Sequence, residues 1–162
     1  MTATTTTTTT TTGLVSPLVA RIGLIILAVQ GLGTGLWSTI DPRGFYGDFP
    51  GLGMSWVAPD GPYNEHLMRD YGALNLALGV LAVCAAIWLT RALVAAAAIA
   101  WIVYSIPHIA YHALNGEPYD SADHVAIVAS LAFTPIIAIV VLWSVRGASA
   151  RGESRRAESP TT

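Results

Sequence analysis

The chain has 162 residues, of which 53% are hydrophobic and 11% are charged, and its basic residues are all arginine. Soluble domains carry about 25% charged residues, so this composition excludes an ordinary soluble enzyme and a disordered chain. A net charge of −2 offers no extended phosphate-binding surface for a nucleic-acid backbone, which excludes a nucleic-acid binder. The composition therefore indicates a protein whose main partner is the lipid bilayer.

Four long apolar segments follow one another along the chain. Because a bilayer core of about 30 Å requires about 20 apolar residues in a helix, each segment is predicted to be a transmembrane helix. The predicted spans cover residues 18–37, 71–90, 92–111 and 125–145. The apolar runs are continuous, unlike the alternating pattern of a transmembrane β-barrel. The sequence therefore predicts an all-α membrane protein, an antiparallel bundle of four transmembrane helices with a long ordered first loop.

The segments outside the spans differ in composition. Residues 1–16 contain an unbroken threonine run and residues 147–162 are polar, so both are predicted to be disordered tails around a transmembrane domain at 17–146. The loop at 39–69 is different because it contains five aromatic residues among many Gly and Pro residues. A loop of this length is usually functional or disordered, and the aromatic residues argue against disorder. We expect it to cover one face of the bundle or to lie in the membrane interface.

The positions of the arginines predict the orientation in the membrane. With four crossings, Arg21, Arg91 and the four arginines from position 146 onward lie on one side, whereas Arg43 and Arg69 lie on the other. Arginine is enriched on the cytoplasmic side of membrane proteins. We therefore expect a multi-pass protein of a bacterial plasma membrane, with both termini in the cytoplasm and the first loop outside.

Small and polar residues predict several local features of the helices. Gly31 and Gly35 are four apart in the first span, a spacing that lets another helix approach closely. Asn64 and Ser121 precede apolar runs and are predicted to cap the second and fourth helices. Asn75 lies one turn inside the second span and is expected to bond to another helix.

The four histidines of the chain are predicted to lie together at the outer ends of the helices. His66 and His124 stand at the start of the second and fourth helices, and His108 and His112 stand at the end of the third. His108 and His112 are four apart, so they lie on one helix face, where two nitrogens can bind one metal ion. The four histidines are therefore a candidate site for a transition metal, and imidazoles from two helices are also suited to haem.

Two carboxylates are spaced to interact with these imidazoles. His66 precedes Asp70 by four residues, and Asp120 precedes His124 by four. An acid one helical turn from an imidazole can orient the ring and raise its basicity. In each pair, the carboxylate is therefore a candidate hydrogen-bond partner for an imidazole that binds a metal or transfers protons.

Proton transfer without a metal is a second interpretation of the histidines. An imidazole and a carboxylate can move protons to or from a substrate in the outer leaflet. His108, His112 and Asp70 are the candidate catalytic residues for this chemistry. The third interpretation is structural, because histidines at a membrane interface also hydrogen-bond to loop backbone and to carboxylates.

Two stretches of the sequence carry a family resemblance. The first is Arg21-Ile-Gly-Leu, followed by Gly31, Gly33 and the exit segment DPRGF at 41–45. Together with four spans and a short turn between the middle two, it resembles the DoxX-like group of small four-helix bacterial membrane proteins. The second is NEHLMRDYGALN at 64–75, with Pro107, His108 and His112 later, and it resembles uncharacterised actinobacterial relatives.

The resemblance covers about residues 16–146 and implies a four-helix bundle. Some members of the group are membrane subunits that work beside a quinone- or thiol-linked oxidoreductase, and the resemblance implies such a role here as well. Because Cys84 is the single cysteine of the chain, thiol–disulfide chemistry within this polypeptide is not expected.

Two functions are consistent with these features, and transport is a third that would require an oligomer, because four spans are few for a monomeric transporter. The first is a redox-linked or accessory membrane subunit that binds a metal, haem or quinone through its outward-facing histidines, beside a membrane oxidoreductase or as a homo-oligomer. The second is a small integral membrane enzyme that uses His and Asp as acid and base on a lipophilic substrate.

Overall fold

The computed structural model describes residue 14 and residues 16–146, so the predicted tails lie outside the described residues apart from Leu14 and Ser16. The described residues form five α-helices and one small sheet. The helices are α1 (Pro17–Ile40), α2 (Pro42–Asp48), α3 (Glu65–Trp88), α4 (Arg91–Leu114) and α5 (Ser121–Arg146). Strands β1 (Pro50–Gly51) and β2 (Met54–Ser55) pair antiparallel, and a 3₁₀ helix follows at Ala58–Asp60.

Helices α1, α3, α4 and α5 are each long and apolar enough to cross a membrane. The chain is thus an all-α, multi-pass integral membrane protein built on a four-helix bundle, and the predicted fold class is confirmed. Helix α3 begins at Glu65 and α5 begins at Ser121, several residues before the apolar spans predicted from the sequence. The reason is that these helices continue past the apolar core with a polar first turn.

Helices α1 and α3 pack closely because glycines stand at their crossing. A Cβ atom on Gly31 would lie 2.8 Å from the backbone oxygen of Asn75, and one on Gly79 would lie 2.8 Å from the backbone nitrogen of Leu32. Gly35 is packed against α3 backbone in the same way. The close approach predicted from Gly31 and Gly35 is confirmed, since a larger side chain would force the helices apart.

A buried amide connects α3 to α4. The Asn75 side chain is 1% exposed, and its Nδ2 donates to the backbone oxygen of Tyr71 at 2.9 Å and to the hydroxyl of Tyr104 at 3.1 Å. The expected bond to another helix is confirmed. Elsewhere in the bundle, the largest fully buried apolar side chains are Trp101, Leu24, Leu27, Val94 and Val141.

The caps of α3 and α5 are set by acceptors just before each helix. The Asn64 side chain accepts from the backbone N–H of Leu67 at 3.1 Å, which confirms the predicted cap of α3. Helix α5 is capped by Asp120 and not by Ser121, because Oδ1 of Asp120 accepts from the backbone N–H of Asp123 at 2.8 Å. Ser121 is the first helical residue, and the Asp120 carboxylate adds a favourable charge at the helix N-terminus.

The bundle has two different ends. We call the end that carries residues 41–64 and 115–120 the loop end, and the end that carries residues 89 and 90 the turn end. At the turn end, Leu89 takes a left-handed conformation with φ 46°, which costs a non-glycine residue roughly 1–2 kcal/mol. Burial of the Leu89 side chain helps to offset this cost.

The first loop is ordered and folds onto the loop end, as expected from its aromatic residues. Phe45 of α2 is buried, and its ring lies 5.6 Å from that of Trp37 and 5.5 Å from that of Tyr71. Tyr46 donates from its hydroxyl to the backbone oxygen of Gly61 at 2.8 Å. The aromatic side chains therefore anchor the loop to α1 and α3 and hold its two halves together.

Candidate ligand pocket at the loop end

A cavity of about 430 Å³ lies at the loop end, between the first loop and helices α1, α3, α4 and α5. We call it the loop-end pocket. Most of its wall is apolar and includes Phe45, Phe49, Trp56, Leu67, Ile127 and Leu131. Its polar groups include Gln30, Thr34, Asp60, Tyr71, His108 and His112. An apolar cavity of this size with a few convergent polar groups is typical of a site for a small molecule.

His108 and His112 stand on one wall of this pocket. Their rings are stacked, with centroids 5.2 Å apart and planes inclined by 30°, as their spacing of four on α4 predicts. The centroid of the His108 ring also lies 5.5 Å from that of Tyr104, in an edge-to-face arrangement, and 6.2 Å from that of Tyr71. These aromatic neighbours restrict the orientation of the His108 ring.

His112 carries an unpaired polar atom. Its Nδ1 is buried and has no hydrogen-bond partner among the described residues. Most buried polar side-chain atoms in proteins have a partner, because leaving one unpaired costs about 1–3 kcal/mol. Since His112 lines the loop-end pocket, this atom indicates a place for a ligand or water atom.

His124 has a structural role. Its Nε2 donates to the backbone oxygen of His112 at 2.8 Å, and its ring packs on Gly116. That oxygen belongs to the last turn of α4, where carbonyls have no partner within the helix. The expected pairing of His124 with Asp120 does not form, because the Asp120 carboxylate binds backbone N–H groups of α5.

His66 and Asp70 form the pair predicted from their spacing, but outside the pocket. His66 Nε2 lies 3.2 Å from Asp70 Oδ2, and the two side chains are 87% and 64% exposed. Neither residue lines the loop-end pocket. The structure thus brings His108 and His112 together and leaves Asp70, the third candidate catalytic residue, on the outer surface of α3.

The described residues lack a cluster of side chains suited to a metal ion. Among them, no three or more His, Cys, Asp or Glu side chains are grouped so that they could hold a metal ion. The metal centre of His66, His108, His112 and His124 therefore stays a prediction. Haem is not supported by the His108–His112 pair, since two stacked rings of one helix do not offer ligands to opposite faces of a macrocycle.

Asp60 is a pocket residue that the sequence analysis did not single out. It ends the 3₁₀ helix of the first loop, lines the loop-end pocket and accepts from the Tyr111 hydroxyl at 3.4 Å. In the sequence it stands between Pro59 and Gly61, which indicates only a turn. No helical spacing relates it to a histidine, so only the folded loop reveals its position.

The segment between α4 and α5, together with the first turn of α5, holds the first loop in place over the pocket. The Tyr119 hydroxyl donates to the backbone oxygen of Trp56 at 2.7 Å, and Trp56 Nε1 donates to Asp123 Oδ1 at 3.2 Å. Burial raises the pKa of Tyr119 to about 12, and the nearby carboxylate of Asp60 also raises this pKa. Tyr119 is therefore a neutral donor at physiological pH.

Comparison of the chain with family models, with curated proteins and with solved structures finds no match. The resemblance to the DoxX-like group stays a prediction of the sequence.

Proposed function

We propose that this integral membrane protein binds a lipophilic small molecule with hydrogen-bonding oxygens, of the quinone class, in the loop-end pocket. One observation carries this proposal. A largely apolar cavity of about 430 Å³ has two stacked imidazoles on its wall, and one of these, His112, has a buried Nδ1 without a partner among the described residues.

The composition of the wall fits such a ligand. Aromatic side chains of the first loop, Phe45, Phe49 and Trp56, offer faces on which a flat ring can stack. The few polar groups can pair with ligand oxygens without requiring the burial of a charge. Ionisable side chains within membrane spans are rare and usually functional, which applies to both His108 and His112.

The histidines would bind the ligand and exchange protons with it. Nδ1 of His112 would donate to or accept from a ligand oxygen, because imidazole nitrogens change between donor and acceptor with the tautomer. A quinone supplies two-electron chemistry when it is bound, and the chain's part is to hold the ring and to supply or take protons. Asp60, which lines the same pocket, would stabilise a protonated imidazole or relay its proton to the exterior.

The electrons would come from a partner protein. The resemblance to the DoxX-like group supports an accessory subunit beside a membrane oxidoreductase. A single cysteine leaves the chain without a thiol pair of its own. The chain would thus supply the ligand site, and the partner protein would supply the redox centre.

We also propose that the loop end faces the outside of a bacterial plasma membrane and that both termini are cytoplasmic. The arginine distribution supports this orientation. Reporter fusions inserted at Gly116 and next to Arg91 test it, and we expect them on opposite sides of the membrane with Gly116 outside. Finding both on one side would contradict four crossings.

The binding proposal is tested with purified protein in a mild detergent. Short-chain ubiquinone and menaquinone analogues are titrated while tryptophan fluorescence is recorded, since Trp56 lines the pocket. We expect saturable quenching by at least one analogue. His112→Gln and His108→Gln should each raise Kd about tenfold, the effect of losing about 1.4 kcal/mol of hydrogen bonding.

His66→Gln is the matched control, because His66 is exposed and lies outside the pocket. Its Kd should equal that of the wild type. The proposal is wrong if neither analogue saturates the wild type, or if the His112→Gln and His66→Gln variants bind with equal affinity.

A second candidate function is an acid–base enzyme on a lipophilic substrate. It is favoured by the presence of the Asp60 carboxylate in the same cavity as His108 and His112. Membranes with the wild type or with an Asp60→Asn variant would be incubated and their lipid extracts compared by mass spectrometry. A product that depends on Asp60, while analogue binding persists, would favour the enzyme over the accessory subunit.

A further inference from the structure

A second cavity lies toward the turn end, on the outer face of the bundle between α1 and α3. Its volume is about 550 Å³, and one charged side chain, that of Arg21, contributes to its wall. The remaining wall is apolar and includes Ile25, Val29, Leu32, Val83 and Ile87. We call this feature the α1–α3 groove. Several of its residues are exposed, so the groove is open to the lipid.

Arg21 is held in place at one end of the groove. Its Nε donates to the backbone oxygen of Ala86 at 3.2 Å, in the last turn of α3. Carbonyls in the last turn of a helix have no partner within the helix, so this bond caps α3 and anchors the guanidinium. An anchored guanidinium still has two terminal amino groups that can donate to an anion.

The charge at this end of the described bundle is entirely positive. Residues 16–37, 78–104 and 128–146 contain no Asp or Glu. The described acids lie instead toward the loop end, at Asp41, Asp48, Asp60, Glu65, Asp70, Glu117, Asp120 and Asp123. In these segments, Arg21 therefore has no carboxylate that could occupy its amino groups.

The length of the groove matches one leaflet of the membrane. From Arg21 to Leu32 an α-helix rises about 16 Å. Half of a bilayer core of about 30 Å is about 15 Å. An acyl chain that starts at the level of Arg21 would thus run along Ile25 and Val29 and end near the midplane.

We propose that the α1–α3 groove binds one anionic phospholipid, with its phosphate on the Arg21 guanidinium and one acyl chain along the groove. The planar guanidinium matches the oxygens of a phosphate better than an ammonium does. Anionic lipids are attracted to basic sites on the cytoplasmic side, and this step rests on the membrane orientation proposed above, which puts this end in the cytoplasm. The proposal is independent of the loop-end pocket and of its ligand.

The test uses the full chain in a mild detergent. Phosphatidylglycerol or phosphatidylcholine with the same acyl chains is added, and bound lipid is counted by native mass spectrometry. Thermal unfolding is recorded in parallel. We expect the wild type to bind phosphatidylglycerol about tenfold more tightly than phosphatidylcholine and to gain Tm only with phosphatidylglycerol. Arg21→Gln should lose this preference, and Arg21→Lys should keep part of it.

Two further variants separate the headgroup from the chain. Val29→Trp fills the groove and should weaken both lipids while leaving the charge in place. Arg43→Gln removes a charge at the loop end, where Arg43 lies over the Tyr63 ring, and should leave the preference unchanged. If Arg21→Gln does not fold, the Arg21→Lys and Val29→Trp variants still decide the outcome.

The proposal is overturned if the wild type shows no preference for the anionic lipid, or if Arg21→Gln retains the full preference. It is also overturned if Val29→Trp has no effect while inorganic phosphate displaces phosphatidylglycerol, because the site would then bind a free anion.

Discussion

The hydroxyl of Tyr119 donates to the backbone oxygen of Trp56 at 2.7 Å, across 63 residues of sequence. This bond joins the connection between α4 and α5 to the first loop. Because Trp56 and Asp60 both line the loop-end pocket, the position of the loop decides the shape of the pocket. Whatever holds the loop therefore also controls access to His108 and His112.

Tyr119→Phe should loosen the first loop. The variant loses one hydrogen bond, worth about 1 kcal/mol, so the loop should open about five times more often and be cleaved correspondingly faster by a protease. Cleavage in native protein is followed by mass spectrometry. Tyr63→Phe is the control, because Tyr63 contacts Tyr46 through its ring and its hydroxyl has no hydrogen bond to any described residue. Equal cleavage of both variants would show that the Tyr119 bond does not hold the loop.

Tyr119 should titrate at unusually high pH. Its pKa is raised to about 12 in the folded protein, against an ordinary value of 10.0. Between pH 10 and pH 12 the folded state thus keeps a proton on Tyr119 that the unfolded state loses. The contribution of the protonated hydroxyl to folding stability is therefore complete below pH 10 and is lost as the pH rises toward 12. Tyrosinate absorbance of the wild type minus that of Tyr119→Phe measures the titration. A difference curve with a midpoint near 10 would contradict the burial of this hydroxyl.

Exchange of the two carboxylates Asp60 and Asp70 for amides should have different effects. Asp60→Asn alters the wall of the loop-end pocket and should raise the Kd for a quinone analogue three- to tenfold, which is about 0.7–1.4 kcal/mol. Asp70→Asn alters only an exposed pair with His66, so it should leave the Kd unchanged. The measurement is the same fluorescence titration for both variants. The opposite order of effects would favour Asp70 as the functional acid.

Gly79→Ala should destabilise the bundle. The new Cβ would lie 2.8 Å from the backbone nitrogen of Leu32, so α1 and α3 would separate at a cost of about 1–3 kcal/mol. Gly33→Ala is the matched control on α1, because a Cβ there meets no atom of another described segment within 4 Å. It should be neutral or slightly stabilising, since alanine favours a helix over glycine by about 0.5–1 kcal/mol. The Tm values of the Gly79→Ala and Gly33→Ala variants are measured by thermal unfolding in detergent. Equal Tm values would contradict the close packing of α1 and α3.

The spacing of His108 and His112 was sufficient to predict that their rings share a helix face, because positions four apart are neighbours on any α-helix. Composition was likewise sufficient for four membrane spans, since about 20 apolar residues in a row have one stable arrangement in lipid. The shared face of Gly31 and Gly35 on α1 and the cap at Asn64 also follow from local spacing. These features depend on the geometry of single helices.

The partners of each imidazole depended on tertiary structure. His66 and His124 look equivalent in the sequence, each one turn from an aspartate, yet His66 pairs with Asp70 on the surface and His124 bonds to the His112 backbone. The position of Asp60 in the pocket and that of Arg21 against Ala86 are decided by contacts between segments that are distant in the sequence. The physical reason is that helical periodicity fixes which face a residue occupies, whereas helix packing and loop folding fix what that face meets.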